Sequence, residues 1–388
     1  MNKMIIDFDP TNKYMNLKEF KTAKERREFL EKKLKIKLGT IAKAHVDDEK
    51  TIHCENLIGA TTLPLGVAGP LTIKNLELGI RNYFIPLATT EGALVASVNR
   101  GCKAINLSGG TKVSVENVGT TRGPVFETSG IKESMMFKNW LDKNFNVLKS
   151  EAEKTSSHLR LKKLGTRIAG TYVYVRFYFD TQDAMGMNMV TIATETLSQF
   201  IEKKIMVKCL SVSGNFCIDK KPAWLNFISG RGRRVWAEVI LKKEIVKNVL
   251  KTTPEKFFEV WLAKCMIGSA MSGSLGFNAH FTNVVAAFFA STGQDLAHVV
   301  EGSMGITTSK VLKNGDLYVS VYLPAVMIGT VGGGTKLKTK QEGLSIIGAK
   351  TSLELAEVLG GAVLAGEISL LASLAEGTLA KTHEKLGR

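Results

Sequence analysis

The segment TYVYVRFYFD at residues 171–180, with TQDAMGMN directly after it at 181–188, decides the class of fold. Its apolar side chains alternate, as on one face of a β-strand, at Val173, Val175, Phe177 and Phe179. An apolar helical pattern then begins near Val190, so the unit reads strand, loop, helix. Such a unit can present backbone N–H groups to a phosphate. It lacks the G-x-G-x-x-G pattern of a Rossmann domain, which argues against that fold.

The composition is that of an ordinary globular protein with a large core. The chain has 388 residues, of which 44% are hydrophobic and 23% charged, and this length predicts two or three domains. The net charge is +16. A lysine-rich surface explains such a charge, and so does attraction of polyanionic small molecules such as phosphorylated cofactors. Nucleic-acid binding is a third reading, although no recognised binding motif accompanies the charge.

The cysteines and histidines indicate neither a disulfide framework nor a metal site. Five cysteines are scattered without a C-x-x-C pair, and no signal peptide is visible, which favours a reducing cytoplasm. Four histidines share no metal-ligand spacing, and they are His53, His158, His280 and His298. We therefore expect no metal site.

Several other segments have clear secondary-structure signals. Residues 17–34 are typical of a solvated amphipathic helix, and residues 55–87 of strands with tight turns. A helix is expected to start after Thr89 or Thr90 and to stop at Gly109-Gly110. Residues 353–375 are apolar but contain three glutamates and three glycines, so we expect a buried core helix and no transmembrane span.

The loop SGNFCIDKKP at residues 213–222 contains the strongest chemical signal. It ends on adjacent lysines, and Lys220 could fix an ammonium where a substrate oxygen develops negative charge. Glu91, Asp295 and His383 would supply two carboxyl groups and an imidazole, which together make an acid–base set for reducing a carbonyl. Each of these four residues, considered alone, is equally explained as a residue of an ordinary helix start, turn or exposed surface.

Taken together, these motifs resemble the 3-hydroxy-3-methylglutaryl-CoA (HMG-CoA) reductase family, in family order from about residue 50 to the end. The matching stretches are ENLIG 55–59, PLGVAGPL 64–71, ATTEGALVAS 88–97, DAMGMN 183–188, SGNFCIDKKP 213–222, GQD 293–295, TVGGGT 330–335 and His383. The DKKP run at 219–222 is similar to class I enzymes more than to class II. No membrane anchor is visible, so the resemblance is to a soluble archaeal or bacterial type.

The resemblance implies an α+β fold that is not Rossmann. It implies a helical N-terminal region at 1–55 and a large substrate- and CoA-binding catalytic domain at 56–122 and 222–388. A small ferredoxin-like NADP-binding domain would be inserted at 123–210, and a connecting loop at 211–221 would carry the catalytic lysine. The family forms homodimers or homotetramers with the active site at a subunit interface.

The resemblance also implies the reaction, a four-electron reduction of HMG-CoA to mevalonate and CoA with two NADPH, in isoprenoid biosynthesis. Lys220 would stabilise the oxyanion, and Glu91 would protonate the aldehyde oxygen. Asp295 would hydrogen-bond both of them, and His383 would protonate the CoA thiolate. Candidate substrate-binding residues are Arg122, Ser213, Lys221 and Asn283. Candidate cofactor-binding residues are Asp183, Met185, Gly186, Met187, Asn188, Gly332, Gly333 and Gly334.

One departure concerns the cofactor. Where class I relatives place an arginine against the 2′-phosphate, this chain has Ser157, with Arg160, Lys162 and Lys163 as substitutes. NADPH is the expected cofactor, with NADH as the lesser choice. Two alternatives stay open: NADH-linked oxidation of mevalonate, and a basic non-enzymatic protein that binds nucleic acid. The expected partners are small molecules and further copies of the chain, without nucleic acid or membrane.

Overall fold

The computed structural model describes residues 20–43, 52–75 and 79–377. The chain divides into two compact units, Met1–Pro64 and Leu65–Arg388. The first contains helices α1 (Ala23–Leu34) and α2 (Gly39–Lys43). Thr22 caps α1 in a reciprocal capping box with Glu25, which is the local reason that the helix begins there. The helix expected within 17–34 is thus confirmed over its described part.

The second unit contains a mixed sheet. Its strands are β1 (Leu65–Asn75), β2 (Gly79–Ala88), β3 (Thr111–Arg122), β4 (Val125–Glu127), β5 (Arg160–Ala169), β6 (Tyr172–Asp180), β7 (Lys208–Ser211), β8 (Gly232–Leu241), β9 (Gly276–Phe277), β10 (Gly305–Val311) and β11 (Leu317–Val326). The strand order is β7-β4-β6-β3-β8-β11-β10-β9, with β5 on β6 and β2 on β1. β1 also runs parallel to the start of β3.

The helices of this unit are interspersed with the strands. They are α3 (Leu94–Leu107), α4 (Ile131–Lys143), α5 (Phe145–Glu153), α6 (Met187–Ile205), α7 (Trp224–Ser229), α8 (Lys243–Asn248), α9 (Pro254–Trp261), α10 (Ser269–Met271), α11 (Phe281–Thr292), α12 (Val299–Gly302), α13 (Lys338–Ile347) and α14 (Ser352–Glu376). A π-helical turn spans Leu262–Gly268, and 3₁₀ turns span Leu296–His298 and Gly333–Lys336. The fold is therefore mixed α/β.

Strand β3 joins two halves of the sheet, each with its own apolar core. Its first part pairs with β8, while Thr120–Arg122 pairs with β6. The larger core lies among β1, β2, β8, β11, α3, α11 and α14. The smaller one lies among β4, β5, β6, α4, α5 and α6. Both cores belong to the unit Leu65–Arg388.

The C-terminal helix α14 is the centre of the larger core. It is long and apolar enough to cross a membrane, and it is the one described helix that meets this test. Most of its residues are buried against α3, α11 and the sheet. The expectation of a buried core helix over 353–375 is confirmed.

Other local expectations were met unevenly. The alternating residues of β6 are all fully buried, so the strand reading of 171–180 is confirmed. The helix expected directly after Thr89 or Thr90 begins only at Leu94. Ala93 has a left-handed backbone with φ of 68°, which a helix cannot contain. Glu91 therefore lies in the preceding turn and is not a residue of the first helical turn.

Candidate active site

Lys220 and Asp295 form an ion pair. Nζ of Lys220 lies 2.8 Å from Oδ2 of Asp295, and the two side chains remain 39% and 36% exposed. Lys220 belongs to the loop between β7 and α7 and has a left-handed φ of 57°. This geometry places an ammonium and a carboxylate side by side where a small molecule can still reach them.

The position of Asp295 follows from the turn at the end of α11. Gly293 ends that helix with φ of 72°, and Asp295 then caps the 3₁₀ turn Leu296–His298, with Oδ1 accepting from the Ala297 amide at 3.1 Å. Partial burial is the largest influence on the pKa of Asp295 and raises it. The hydrogen bonds from Lys220 and Ala297, with the charge of His298, outweigh burial and hold this pKa below its usual value.

A buried charged cluster lies behind this pair. The guanidinium of Arg231 is fully buried and donates to Oδ1 of Asp219 at 2.9 Å and to Oε1 of Glu301. Glu301 also accepts from Nδ1 of His298 at 2.8 Å. Sequence reasoning missed these residues, because Arg231 stands between two glycines like a turn residue. The spacing of Asp295, His298 and Glu301, three residues apart, was the available signal.

Three members of this cluster have the chemistry of metal ligands but do not fit a cation. Donor atoms of Asp219, His298 and Glu301 lie within 4.8 Å of one another. Arg231 already forms ion pairs with Asp219 and Glu301. A metal ion there would have to approach a buried guanidinium, which like-charge repulsion in a dry environment opposes.

Glu91 has a different neighbour from the one expected. Its Oε1 accepts from Nδ2 of Asn283 at 3.1 Å, and its side chain is exposed. Asp295 was expected to hydrogen-bond both Lys220 and Glu91. Among the described residues it bonds Lys220 but not Glu91. Asn283 also approaches Nδ1 of His280 at 3.4 Å. The structure therefore brings together Glu91 and Asn283 as a second pair.

Two further candidate substrate residues, Arg122 and Lys221, contact Asp219. Arg122 lies 3.8 Å from Oδ2 of Asp219, and Lys221 Nζ donates to its backbone carbonyl at 3.2 Å. Ser213 Oγ lies 3.8 Å from the sulfur of Cys217 in the same loop. A cleft of about 480 Å³ opens beside this loop and is lined by Pro222, Lys264, Ser269, Asn278, His280 and Thr282 among others. Lys264 on the π-helical turn is a cation that sequence reasoning overlooked.

The two candidate cofactor loops lie against each other. The Thr330 amide donates to the carbonyl of Asp183 at 2.8 Å, and Ala184 forms a bridge with Val331. A Cβ on Gly329 would lie 2.5 Å from the Met185 nitrogen, so only glycine allows this approach. Asp183 also accepts from the Ser352 amide at the start of α14 through Oδ1, at 2.7 Å.

The glycine loop is tied to the lysine–aspartate pair through Gln294. This buried side chain accepts from the Gly329 amide at 2.9 Å and donates to its carbonyl at 3.0 Å. A Cβ on Gly334 would lie 2.7 Å from the carbonyl oxygen of Gly293. The remaining cofactor candidates also lie in these loops. Gly186 precedes α6 with φ of 86°, Met187 contacts Arg231, Asn188 is exposed, and Gly332 and Gly333 have positive φ.

Comparison with known proteins identifies the family. The profile described as hydroxymethylglutaryl-coenzyme A reductase matches residues 22–388. The chain belongs to the HMG-CoA reductase family. It is 48% identical to the 3-hydroxy-3-methylglutaryl-coenzyme A reductase of Methanothermobacter thermautotrophicus and 50% identical to that of Methanocaldococcus jannaschii. Each match covers 94% of this chain and 92% of the relative.

Solved HMG-CoA reductases share the fold. A class II reductase from Streptococcus pneumoniae, described as bound to NADPH in open conformations, matches with a TM-score of 0.69 at 18% identity. The match covers 93% of this chain and 99% of that one. The predicted family is thus confirmed. At this identity the likeness shows the fold alone, so the class I resemblance of residues 219–222 stays a prediction.

The fourth candidate catalytic residue, His383, lies outside the described residues. The described chain ends at Gly377, the C-terminal cap of α14. Of the four candidate catalytic residues, the structure therefore describes Glu91, Lys220 and Asp295, and Lys220 contacts Asp295.

Proposed function

We propose that this chain reduces HMG-CoA to mevalonate and CoA in two successive NADPH-dependent steps. The observation that carries the proposal is the 2.8 Å pair of Lys220 and Asp295. The loop of Lys220 borders a polar cleft at Pro222. Asp295 directly follows Gln294, whose side chain bonds the backbone of Gly329 in the glycine-rich cofactor loop. An ammonium held by a carboxylate is suited to a carbonyl oxygen that becomes negative.

The residues divide the proton chemistry. Lys220 stabilises the oxyanion of the reduced thioester, and Asp295 holds Lys220 in place. Glu91 donates a proton to the aldehyde oxygen in the second reduction, with Asn283 orienting its carboxyl group through the 3.1 Å bond. His383 protonates the departing CoA thiolate, so that the thiol leaves in neutral form.

The substrate's carboxylate and hydroxyl group need donors, and the chain offers several near Asp219. Arg122 and Lys221 are cations suited to charge-assisted bonds with the carboxylate. Ser213 and Asn283 add neutral donors to the proposed set. Lys264, which lines the cleft of about 480 Å³, is a further cation facing this space.

A second, cation-rich pocket fits the phosphates of CoA. It has a volume of about 290 Å³ and is lined by Lys247, Lys251, Lys256, Thr252 and Thr253, with Ala375 and Glu376 from the end of α14. Thr253 caps α9, so the N–H groups of this helix end add to the positive potential. The segment that contains His383 follows directly after this end of α14.

The cofactor loops fit a dinucleotide. The segment Asp183, Met185, Gly186, Met187 and Asn188 ends in the N-terminus of α6, which has no side-chain cap, and such an end accepts a phosphate. Gly332, Gly333 and Gly334 allow close approach from the other loop. When bound there, NADPH supplies the hydride.

The choice of NADPH over NADH rests on the substitutes for the missing arginine. Arg160 donates to the carbonyls of Ser157 and Leu159 and remains half exposed. Lys163 lies over the ring of Tyr178 at 4.6 Å. His158 hydrogen-bonds Gln182, next to the cofactor loop, at 3.0 Å. This contact supports a 2′-phosphate site on the segment 157–160, with Arg160 as its cation.

The finer architecture is also a proposal. We assign residues 123–210 to an inserted ferredoxin-like domain, which the separate core of β4, β5 and β6 supports, and we exclude a Rossmann fold. Residues 56–122 and 222–388 would form the catalytic domain, 1–55 the N-terminal region, and 211–221 the connecting loop. We further propose a cytoplasmic homodimer or homotetramer whose interface covers the exposed Glu91.

The test is cofactor consumption with HMG-CoA and purified full-length protein. We expect oxidation of two NADPH for each CoA released, with mevalonate as the product and little use of NADH. A preference for NADH in the direction of mevalonate oxidation would favour the degradative alternative. No turnover with either cofactor, in protein that is folded, would refute the proposal.

A further inference from the structure

Glu301 connects the backbone of Lys220 to the buried cluster. It is fully buried, and its Oε1 accepts from Arg231, from Nδ1 of His298 at 2.8 Å and from the Lys220 amide at 3.3 Å. A buried carboxylate with three donors is held firmly in one place. It therefore holds the loop of Lys220 and the imidazole of His298 in one arrangement.

The other nitrogen of His298 faces Asp295. Nε2 lies 3.6 Å from Oδ2 of Asp295, the same oxygen that binds Lys220. The ring is fully buried, and Nε2 has no hydrogen-bond partner among the described residues. A buried unsatisfied nitrogen is costly, and a movement of a few tenths of an ångström by Asp295 would satisfy it.

Carboxylates lie beside both ring nitrogens of His298. With its proton on Nδ1 and bonded to Glu301, a neutral ring would present a lone pair to the carboxylate of Asp295. A ring protonated on both nitrogens donates to both carboxylates. Asp219 also lies 3.9 Å from Nδ1, and two cations are near the ring, with Arg231 at 3.5 Å from Nδ1 and Lys220 on the far side of Asp295.

We propose that His298 is a positioning residue, which Glu301 orients so that Nε2 holds Oδ2 of Asp295 in line with Lys220. This role rests on the proposed function, because it acts through the Lys220–Asp295 pair. Oδ1 is already bonded to the Ala297 amide, so His298 restrains the oxygen that matters. Without it, only the Ala297 amide and the partly exposed ammonium of Lys220 hold the carboxylate.

Two substitutions separate this role from a purely structural one. A glutamine amide reaches the position of Nε2, whereas an asparagine amide reaches only that of Nδ1. His298→Gln thus retains a donor for Asp295, and His298→Asn retains one for Glu301. Steady-state kinetics with HMG-CoA and NADPH are measured for both, with thermal unfolding to check the fold.

The expected result is a loss of kcat of about 10- to 100-fold in His298→Asn, with KM for HMG-CoA little changed, and a much smaller loss in His298→Gln. A role limited to satisfying Glu301 predicts the opposite order. Equal or better turnover by His298→Asn than by His298→Gln would overturn the proposal.

Glu354→Gln is the matched control. This buried carboxylate binds Arg81, Tyr83 and the Lys350 amide, so its variant should lose stability and keep kcat. If neither His298 variant folds, Glu301→Gln decides, with a loss of about tenfold in kcat expected and unchanged kcat as the contrary result. Absence of turnover in the unaltered chain would instead refute the proposed function.

Discussion

The ammonium of Lys220 lies 2.8 Å from the carboxylate of Asp295, although strands β8 and β9 and the five helices α7 to α11 separate the two residues along the chain. Lys220 owes its position to a left-handed turn whose amide bonds Glu301, and Asp295 owes its own to the end of α11. The buried Arg231 cluster lies beneath both. The proposed role of Lys220 in the reaction rests on this pair.

The carboxylate of Asp295 should make stability depend on pH. The pKa of Asp295 in the folded protein is below its usual value of about 3.9. The ionised carboxylate therefore adds to the free energy of unfolding above about pH 3.9, and this stabilisation is lost as the pH falls through the lower, folded-state pKa. Asp295→Asn should therefore unfold at lower urea than the unaltered chain at pH 7, with the difference shrinking below about pH 4. Asp142→Asn, in an exposed pair with Lys138, is the control. A difference independent of pH would contradict the assignment.

Glu91→Gln should separate the two reductions. The amide retains an oxygen for the Asn283 bond but has no proton to give to the aldehyde oxygen, so this step should slow by about 100-fold or more. Substrate binding should be nearly unchanged. The measurement is NADPH oxidised per CoA released, which should fall from two towards one as mevaldehyde accumulates. A ratio that stays at two, at normal rate, would remove Glu91 from this role.

His383→Gln should affect the thioester step alone. Glutamine cannot protonate the CoA thiolate, so turnover of HMG-CoA should fall by roughly 100-fold, while reduction of added mevaldehyde continues at nearly the normal rate. Comparing the two substrates in one assay checks this. Equal loss with both substrates would mean that the histidine serves another purpose.

Gly329→Ala should weaken cofactor binding. The added Cβ would lie 2.5 Å from the Met185 nitrogen and 2.8 Å from the Asp183 carbonyl, so the two cofactor loops must separate, and overpacking of this kind costs about 1–3 kcal/mol. We expect KM for NADPH to rise about tenfold. Gly165→Ala, whose Cβ would have nothing within 4 Å, should leave it unchanged. Equal constants for the two variants would contradict the loop assignment.

Local patterns predicted the regular elements better than the site. The alternation in β6 and the long apolar run of α14 are periodic signals, and both elements form where expected. The predicted start of α3 was wrong because Ala93 has a left-handed backbone conformation, which alanine rarely adopts and which the sequence did not indicate. The contact between Lys220 and Asp295 was predicted only from the family resemblance. The roles of Arg231 and His298 depend on burial, which a single sequence does not reveal.

The most direct test of the central claim is mevalonate formation by Lys220→Ala beside the unaltered chain, with Lys138→Ala as the control for loss of an ion-paired lysine. Without the ammonium, the oxyanion has no cation beside Asp295, so we predict a fall in kcat of about 100- to 1,000-fold with the fold intact. Lys138→Ala should behave like the unaltered chain. Normal mevalonate production by Lys220→Ala would contradict the account.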